Sequence, residues 1–239
     1  MGVSDQIDWV KVEPGRATIG SQNRSILFGG IGPRHMVETK YAFQISRHPV
    51  PSEVATPLIE SKECGLASES EWAVALAQGA ITGMDEVERL SDRFNGNYWG
   101  KALDGRPMYR EDWQFRIAKA WKSGEAKTRI IAREADQPQF VRLMRVEEIS
   151  ECDPDPQTLP ASRDTARLLR EEVAIILATG IIPSFGWAYF NASSGYIEAG
   201  WPGLVLGGIV LGLLTGIFWR PKTTSYRLGR NCGKVKPNN

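Results

Sequence analysis

Two uncharged stretches decide the fold of this chain: residues 173–190 read VAIILATGIIPSFGWAYF, and residues 201–219 read WPGLVLGGIVLGLLTGIFW. A helix rises about 1.5 Å per residue, so roughly 20 residues cross a hydrocarbon core that is about 30 Å thick. The sequence therefore predicts a transmembrane helical hairpin over residues 172–220. Neither stretch contains the acidic or basic residues that transporters place at membrane depth, which favours an anchor.

Basic residues flank this hairpin and are missing from its loop, residues 191–200, which read NASSGYIEAG. Loops on the cytoplasmic side of a membrane carry an excess of Lys and Arg. The chain is therefore predicted to be an integral membrane protein with both termini cytoplasmic and a basic cytoplasmic tail over residues 221–239. The flanking basic residues are Arg163, Arg167, Arg170, Arg220, Lys222, Arg227, Arg230, Lys234 and Lys236.

Glycines recur at intervals of four along the second stretch. They form two rows, one with Gly203 and Gly207 and the other with Gly208, Gly212 and Gly216. Glycines at this spacing make a flat helix face on which another helix can pack closely. The pattern is equally compatible with packing against the first stretch and with an interface between copies of the chain.

Composition limits the function classes. The chain has 239 residues and a formal net charge of +1, so it lacks the basic surplus with which proteins bind nucleic acids. Its three cysteines, Cys64, Cys152 and Cys232, are far apart, and it contains only two histidines. The sequence therefore predicts neither a disulfide framework nor a metal site.

The region before the hairpin is predicted to be a soluble domain over residues 1–150, followed by a polar, proline-containing linker over residues 151–171. Ser68 and Glu71 make a capping box at the start of a helix that ends at Gly79. Around it the sequence predicts short strands and many loops, which is an α+β arrangement. The predicted strands lie in a strand–turn–strand unit from Asp8 and in residues 41–46, 128–133 and 140–145.

Five segments of this domain resemble one enzyme family. They are EPGRATIGS, YAFQISRHPV, LASESEWAVALAQG, NYWG and FVRLMR, and they lie between residues 8 and 145. Together they resemble the formylglycine-generating enzymes, or sulfatase-modifying factors, and the helix segment of residues 66–79 is the most specific match. The resemblance implies a loop-rich C-type-lectin-like fold.

The chain departs from that family at its catalytic centre. As the resemblance implies, family enzymes oxidise a substrate cysteine with dioxygen at copper held by two closely spaced cysteines late in the domain. Between Arg106 and Phe140 this chain has no cysteine. Copper, or calcium, is therefore implied by the resemblance alone, and the residues themselves predict no catalytic site, no cofactor and no metal.

A charged, aromatic loop supplies the candidate binding residues: Trp99, Arg106, Tyr109, Arg110 and Trp113. Aromatic rings can anchor a partner and arginines can bind anions or carboxylates. The alternative is a turn whose aromatic side chains only order a long loop.

These observations favour a membrane-anchored, non-catalytic domain that acts as a binding or accessory module at the cytoplasmic membrane face. Its expected partners are the lipid bilayer and either a protein or a second copy of the chain, bound through the glycine-rich second stretch; nucleic acid is not expected. Two alternatives remain, an oxidoreductase of the sulfatase-modifying-factor type and a structural subunit of a larger membrane complex.

Overall fold

The chain forms two compact units. The computed structural model describes residues 7–21, 31–146, 155–218 and 226–228. One unit, here called the sheet unit, comprises the described residues of 1–20, 33–161 and 226–239. The other, the hairpin unit, comprises those of 21–32 and 162–225.

The sheet unit combines short strands with two helices, so the predicted mixture of sheets and helices is confirmed. Its elements are β1 (Trp9–Val12), β2 (Gly15–Ile19), β3 (His35–Thr39), β4 (Phe43–Ser46), β5 (Val50–Pro51), α1 (Ser52–Glu60), β6 (Gly65–Leu66), α2 (Glu69–Ala77), β7 (Val87–Phe94), β8 (Phe115–Lys122), β9 (Glu125–Ala132), β10 (Phe140–Val141) and β11 (Leu143–Arg145).

The strands form three sheets. The five-stranded sheet has the order β5-β10-β7-β8-β9, the four-stranded sheet has the order β1-β4-β11-β6, and β2 pairs with β3. All neighbours are antiparallel except β10 and β7. Only Arg142 separates β10 from β11, so the chain passes from one sheet to the other at this residue.

Helix α2 begins as the sequence predicts. The Ser68 side chain accepts a hydrogen bond from the Glu71 backbone, and the Glu71 carboxylate accepts one from the Ser68 backbone. Gly79, just after the helix, has a φ of 70°, which suits glycine. The helix is buried on nearly all sides, because polar residues such as Glu69 also point into the interior.

Several sequence predictions for this unit need correction. Strands β7 and β8 and helix α1 lie in segments that we expected to be loops. The predicted strand–turn–strand unit is present as β1 and β2, but β1 pairs with β4 and β2 pairs with β3. The strand expected over residues 140–145 is interrupted at Arg142. In β7 the hydrophobic alternation is hidden because the buried positions include Glu88 and Asp92.

The hairpin unit consists of two long helical segments. The first contains α3 (Thr165–Ile176), a π-helical turn (Leu177–Ile181) and α4 (Ile182–Asn191), and the second is α5 (Ser194–Phe218). Thr165–Asn191 and Ser194–Thr215 are each long and apolar enough to cross a membrane. The predicted ten-residue loop is wrong, because α5 begins at Ser194. Trp219 lies outside the described residues.

Glycines allow the two helical segments to pack closely. A Cβ atom at Gly180 would collide with the carbonyl oxygen of Gly208, and one at Gly208 would lie 2.7 Å from the Cα of Ile181. A Cβ atom at Gly212 would lie 2.9 Å from the Cα of Ile176. Gly208 and Gly212 therefore pack within the hairpin.

The other predicted packing glycines are placed differently. At Gly203 and Gly207 a Cβ atom would meet no neighbouring atom within 4 Å among the described residues. Gly216 lies in α5, but its contacts fall outside the described part of the chain. The two glycine rows therefore differ in their surroundings, since only the row of Gly208 and Gly212 faces the first segment.

An ion pair occupies the junction of the two larger sheets. Arg142 and Glu88 are both fully buried, and the Arg142 Nε and Nη2 groups donate to the two carboxylate oxygens. Arg142 Nη1 donates to the carbonyl oxygens of Ser46 and Arg47, each at 2.7 Å, and Nη2 donates to that of Thr82 at 3.2 Å. All five guanidinium protons therefore have acceptors.

The Glu88 carboxylate also accepts hydrogen bonds from two indole groups. Trp72 Nε1 and Trp121 Nε1 donate to its Oε1 at 2.8 and 2.7 Å. Because Trp72 belongs to α2 and Trp121 to β8, the pair connects the helix, both sheets and the loop after α2. A buried ion pair with complete hydrogen bonding avoids the desolvation cost of an isolated charge.

Replacing Arg142 with Met tests this core. The substitution leaves Glu88 buried without its cation, so we expect a loss of about 3–5 kcal/mol in the free energy of unfolding. The matched control is Arg16→Met, which breaks the exposed ion pair with Glu38 and should cost at most about 1 kcal/mol. Urea unfolding of the detergent-solubilised chain, followed by tryptophan fluorescence, measures both. Equal losses in the two variants would contradict the central role of Arg142.

Candidate functional site

Two of the predicted binding residues, Tyr109 and Trp113, meet at one arginine. The Arg93 guanidinium carbon lies 5.6 Å from the centre of the Tyr109 ring and 5.3 Å from that of Trp113. Tyr109 is 63% exposed, whereas Trp113 is buried. At these distances a guanidinium is attracted to the face of an aromatic ring.

The other predicted residues form local contacts of their own. Arg110 Nη2 donates to the Trp99 carbonyl oxygen at 2.7 Å, and the Trp99 ring packs edge-on against Tyr226 at 5.6 Å. Arg106 pairs with Asp104 at 2.9 Å. These three residues therefore make contacts within the loop and with Tyr226.

Four arginines that sequence reasoning missed surround Trp113 or adjoin it. We call Arg89, Arg93, Arg116 and Arg133 the arginine cluster. The guanidinium carbons of Arg116 and Arg133 lie 4.8 and 4.9 Å from the Trp113 ring centre, in addition to Arg93. One indole ring thus contacts three guanidinium groups.

The strands bring this cluster together. Arg89 and Arg93 occupy half-buried positions of β7, and Arg93 lies directly opposite Arg116 of β8. Arg89 and Arg93 are four residues apart, so the alternation of the strand puts both on one face, and the register shift between them places Arg93 opposite Arg116. Arg133 follows β9, and its backbone N–H donates to the Gln114 carbonyl oxygen at 2.7 Å, next to Trp113.

The arginine cluster forms no ion pair within the described residues. The ion pairs of these residues involve other side chains, and the Nε atoms of Arg89 and Arg116 are buried without a hydrogen-bond partner. Burial, followed by repulsion from the other three arginines, lowers the pKa of Arg116 to about 10. Burial and the charge of Arg93 also lower the pKa of Arg89.

The buried carboxylates that could act as an acid or a base are hydrogen-bonded to internal partners. Glu69 accepts hydrogen bonds from Lys119 Nζ at 2.6 Å and from the Tyr98 hydroxyl at 2.7 Å. Asp92 accepts from Lys101 Nζ at 3.1 Å and from two backbone N–H groups. Glu69 and Asp92 are therefore hydrogen-bonded inside the fold, and Asp92 links β7 to the first residue of α2.

Glu71 is also hydrogen-bonded to internal partners. Its carboxylate accepts hydrogen bonds from the Tyr41 hydroxyl at 2.6 Å and from the Ser68 backbone at 2.8 Å. Burial raises the pKa of Glu71, while these hydrogen bonds act in the opposite direction. The capping role predicted for Glu71 is therefore accompanied by a tertiary contact with Tyr41.

The described part of the chain contains no cluster of metal ligands. No group of three or more His, Cys, Asp or Glu side chains is placed to hold an ion there. Cys64 is a free, partly exposed thiol whose pKa is raised by burial and by Glu63. Cys152 and Cys232 lie outside the described residues.

Comparison with known proteins gives no relative for this chain. No protein-family model, no curated protein and no solved structure matches it.

His35 adds an unpaired polar atom beside the buried carboxylates. It is buried on β3, its Nδ1 lies 2.8 Å from the Pro33 carbonyl oxygen, and its ring packs edge-on against Tyr98. Nε2 has no hydrogen-bond partner within the described residues. Burial is the main reason why the pKa of His35 falls from 6.5 to about 4.

The His35 environment predicts a pH-dependent stability. Between pH 6.5 and about 4 the unfolded chain binds the His35 proton and the folded chain does not. Stability therefore falls as the pH falls through this window, by roughly 2 kcal/mol between pH 7 and pH 5. In His35→Gln this part of the pH dependence should disappear, whatever the change in absolute stability. Urea unfolding of the wild type and of His35→Gln at several pH values measures the difference.

Proposed function

We propose that this chain is a membrane-anchored, non-catalytic, formylglycine-generating-enzyme-like domain that acts as a binding module at the cytoplasmic membrane face. The observation that carries the proposal is the arginine cluster around Trp113. It is an uncompensated, partly exposed cationic surface on a unit that is joined to an apolar helical hairpin.

The path of the chain supports an anchor with both ends on one side. Before the hairpin, the carbonyl oxygens of Gln157 and Pro160 accept hydrogen bonds from Leu103 and Gly100. After the hairpin, the Tyr226 carbonyl oxygen accepts one from Met36 of β3. Both flanking segments therefore belong to the sheet unit. A folded unit lies on one side of a bilayer, so a hairpin that crosses it must return to the same side.

The charge pattern gives the proposed side. The basic residues that flank the hairpin and the absence of Lys and Arg between the two spans favour a cytoplasmic sheet unit. In this orientation the opposite side of the membrane would carry only the turn at Ala192 and Ser193 and the neighbouring ends of α4 and α5.

The state of the carboxylates supports a non-catalytic role. General acid–base catalysis requires a group that can reach a substrate proton. Glu69, Glu71, Glu88 and Asp92 are instead buried and bonded to internal partners. The cysteine pair that the family resemblance would place between Arg106 and Phe140 is missing from the sequence.

One observation favours the structural-subunit alternative. Gly203 and Gly207 have open space above them, whereas Gly208 and Gly212 are used within the hairpin. A small-residue face of this kind suits close helix packing in a bilayer. A second copy or another membrane subunit could use it without disturbing the arginine cluster.

Cysteine labelling tests the anchor and its orientation. In a chain whose native cysteines are replaced by serine, Ser193→Cys lies in the turn and Ser162→Cys precedes the first span; both positions are exposed. A membrane-impermeant maleimide should label Ser193→Cys in intact cells and Ser162→Cys only after lysis. The reverse pattern would overturn the orientation, and equal labelling of both in intact cells would overturn the hairpin.

A peptide assay separates the binding module from the enzyme. We expect the purified full chain, supplied with copper and dioxygen, to leave a cysteine-containing substrate peptide unoxidised, since the family's cysteine pair is missing. Mass spectrometry of the peptide measures the product directly. Aldehyde formation above that of a Cys64→Ser, Cys152→Ser, Cys232→Ser triple variant would contradict the non-catalytic proposal.

A further inference from the structure

We propose that the arginine cluster (Arg89, Arg93, Arg116 and Arg133) is a binding site for a phosphate group, carried either by a soluble compound or by a lipid headgroup. This inference rests on the proposed function, because it names the ligand class of the binding surface. It concerns a different face of the domain from the buried carboxylates.

Three neighbouring strands converge on the site. Arg89 and Arg93 come from β7, Arg116 comes from β8, and Arg133 follows β9. Arg129 of β9 lies opposite Ala118, which itself lies opposite Arg89, so the strand register adds a further basic residue to the same face. Side chains on one face of a sheet remain close together because alternate residues point the same way.

The Trp113 ring orders the arginine side chains, but their charges have no ion-pair partner among the described residues. The Trp113 indole contacts three of the guanidinium groups and is itself buried, so it positions them rather than offering its ring to a ligand. Two guanidinium Nε atoms, those of Arg89 and Arg116, are buried without an acceptor among the described residues. Buried donors are normally bonded, and like charges this close repel, so an anion would satisfy both requirements.

The acids of the same strand cannot supply that anion. Glu88 and Asp92 alternate with the arginines along β7 and point to the opposite face, where Arg142 and Lys101 neutralise them. Asp112, which precedes Trp113, accepts a hydrogen bond from Asn95 Nδ2. These three carboxylates are thus engaged elsewhere.

The charge and geometry of the site favour phosphate over a single carboxylate. A phosphate monoester carries a charge of about −1.5 to −2 at neutral pH and has three strong acceptor oxygens. Guanidinium groups bind such oxygens in paired, parallel hydrogen bonds. One carboxylate offers a single charge and two oxygens, which would leave most of the cluster uncompensated.

Calorimetric titration with inorganic pyrophosphate tests the proposal on the full chain in phosphatidylcholine nanodiscs. The wild type should bind saturably. Arg116→Gln and Arg133→Gln should each weaken binding about tenfold or more, because each removes charge-assisted hydrogen bonds. Arg133 is exposed at the end of β9, so its variant remains informative if Arg116→Gln does not fold.

The matched control is Arg16→Gln, which removes the same charge from an exposed arginine paired with Glu38. Its binding constant should stay within about twofold of the wild type. The proposal is overturned if the wild type shows no saturable binding, or if Arg16→Gln weakens binding as much as Arg133→Gln does. Thermal unfolding without ligand verifies that each variant is folded.

A second lipid composition identifies the source of the phosphate. Nanodiscs that contain phosphatidic acid should weaken pyrophosphate binding if lipid headgroups occupy the cluster, and should leave it unchanged if the natural ligand is soluble. Either result supports a phosphate site. Failure of the anchor would instead appear in the labelling of Ser162→Cys and Ser193→Cys, which does not depend on phosphate.

Discussion

The sheet unit depends on the buried ion pair between Arg142 and Glu88. Arg142 is the single residue between the strands that enter the two larger sheets, and its guanidinium bonds the end of β4, the loop after α2 and the Glu88 carboxylate. Trp72 of α2 and Trp121 of β8 also donate hydrogen bonds to that carboxylate. Buried charges remain stable only when every donor and acceptor is matched, so the pair fixes how these elements meet.

The cationic outer face is a consequence of this ionic interior. β7 carries its carboxylates, Glu88 and Asp92, on the buried side, where internal cations neutralise them. Because a strand alternates its faces, Arg89 and Arg93, which directly follow these carboxylates in sequence, lie on the opposite face. Arg89 and Arg93 thus lose the acids that would otherwise be their nearest partners. The arrangement separates charge across one strand and leaves the outer face positive.

Part of this structure was predictable from local sequence and part was not. The capping box at Ser68 and the two apolar stretches are local signals, and the structure contains the corresponding helices. β7 was missed because charged residues occupy buried positions, which hides the usual alternation of apolar and polar residues. Tyr109 and Trp113 were singled out by composition. The arginine cluster depends on how β7 and β8 pair, and a single sequence does not show that register.

The proposed membrane anchor changes what the proposed phosphate site must achieve. The proposed anchor would keep the sheet unit in a thin layer near the membrane, so ligands held in that layer would meet it at a high effective concentration. Gly208 and Gly212 allow the two helical segments to pack closely, and the Tyr226 carbonyl oxygen accepts a hydrogen bond from Met36 of β3. A partly exposed arginine surface binds weakly in free solution because water and salt screen its charges. The same surface suffices when the ligand, or the membrane that carries it, is kept nearby.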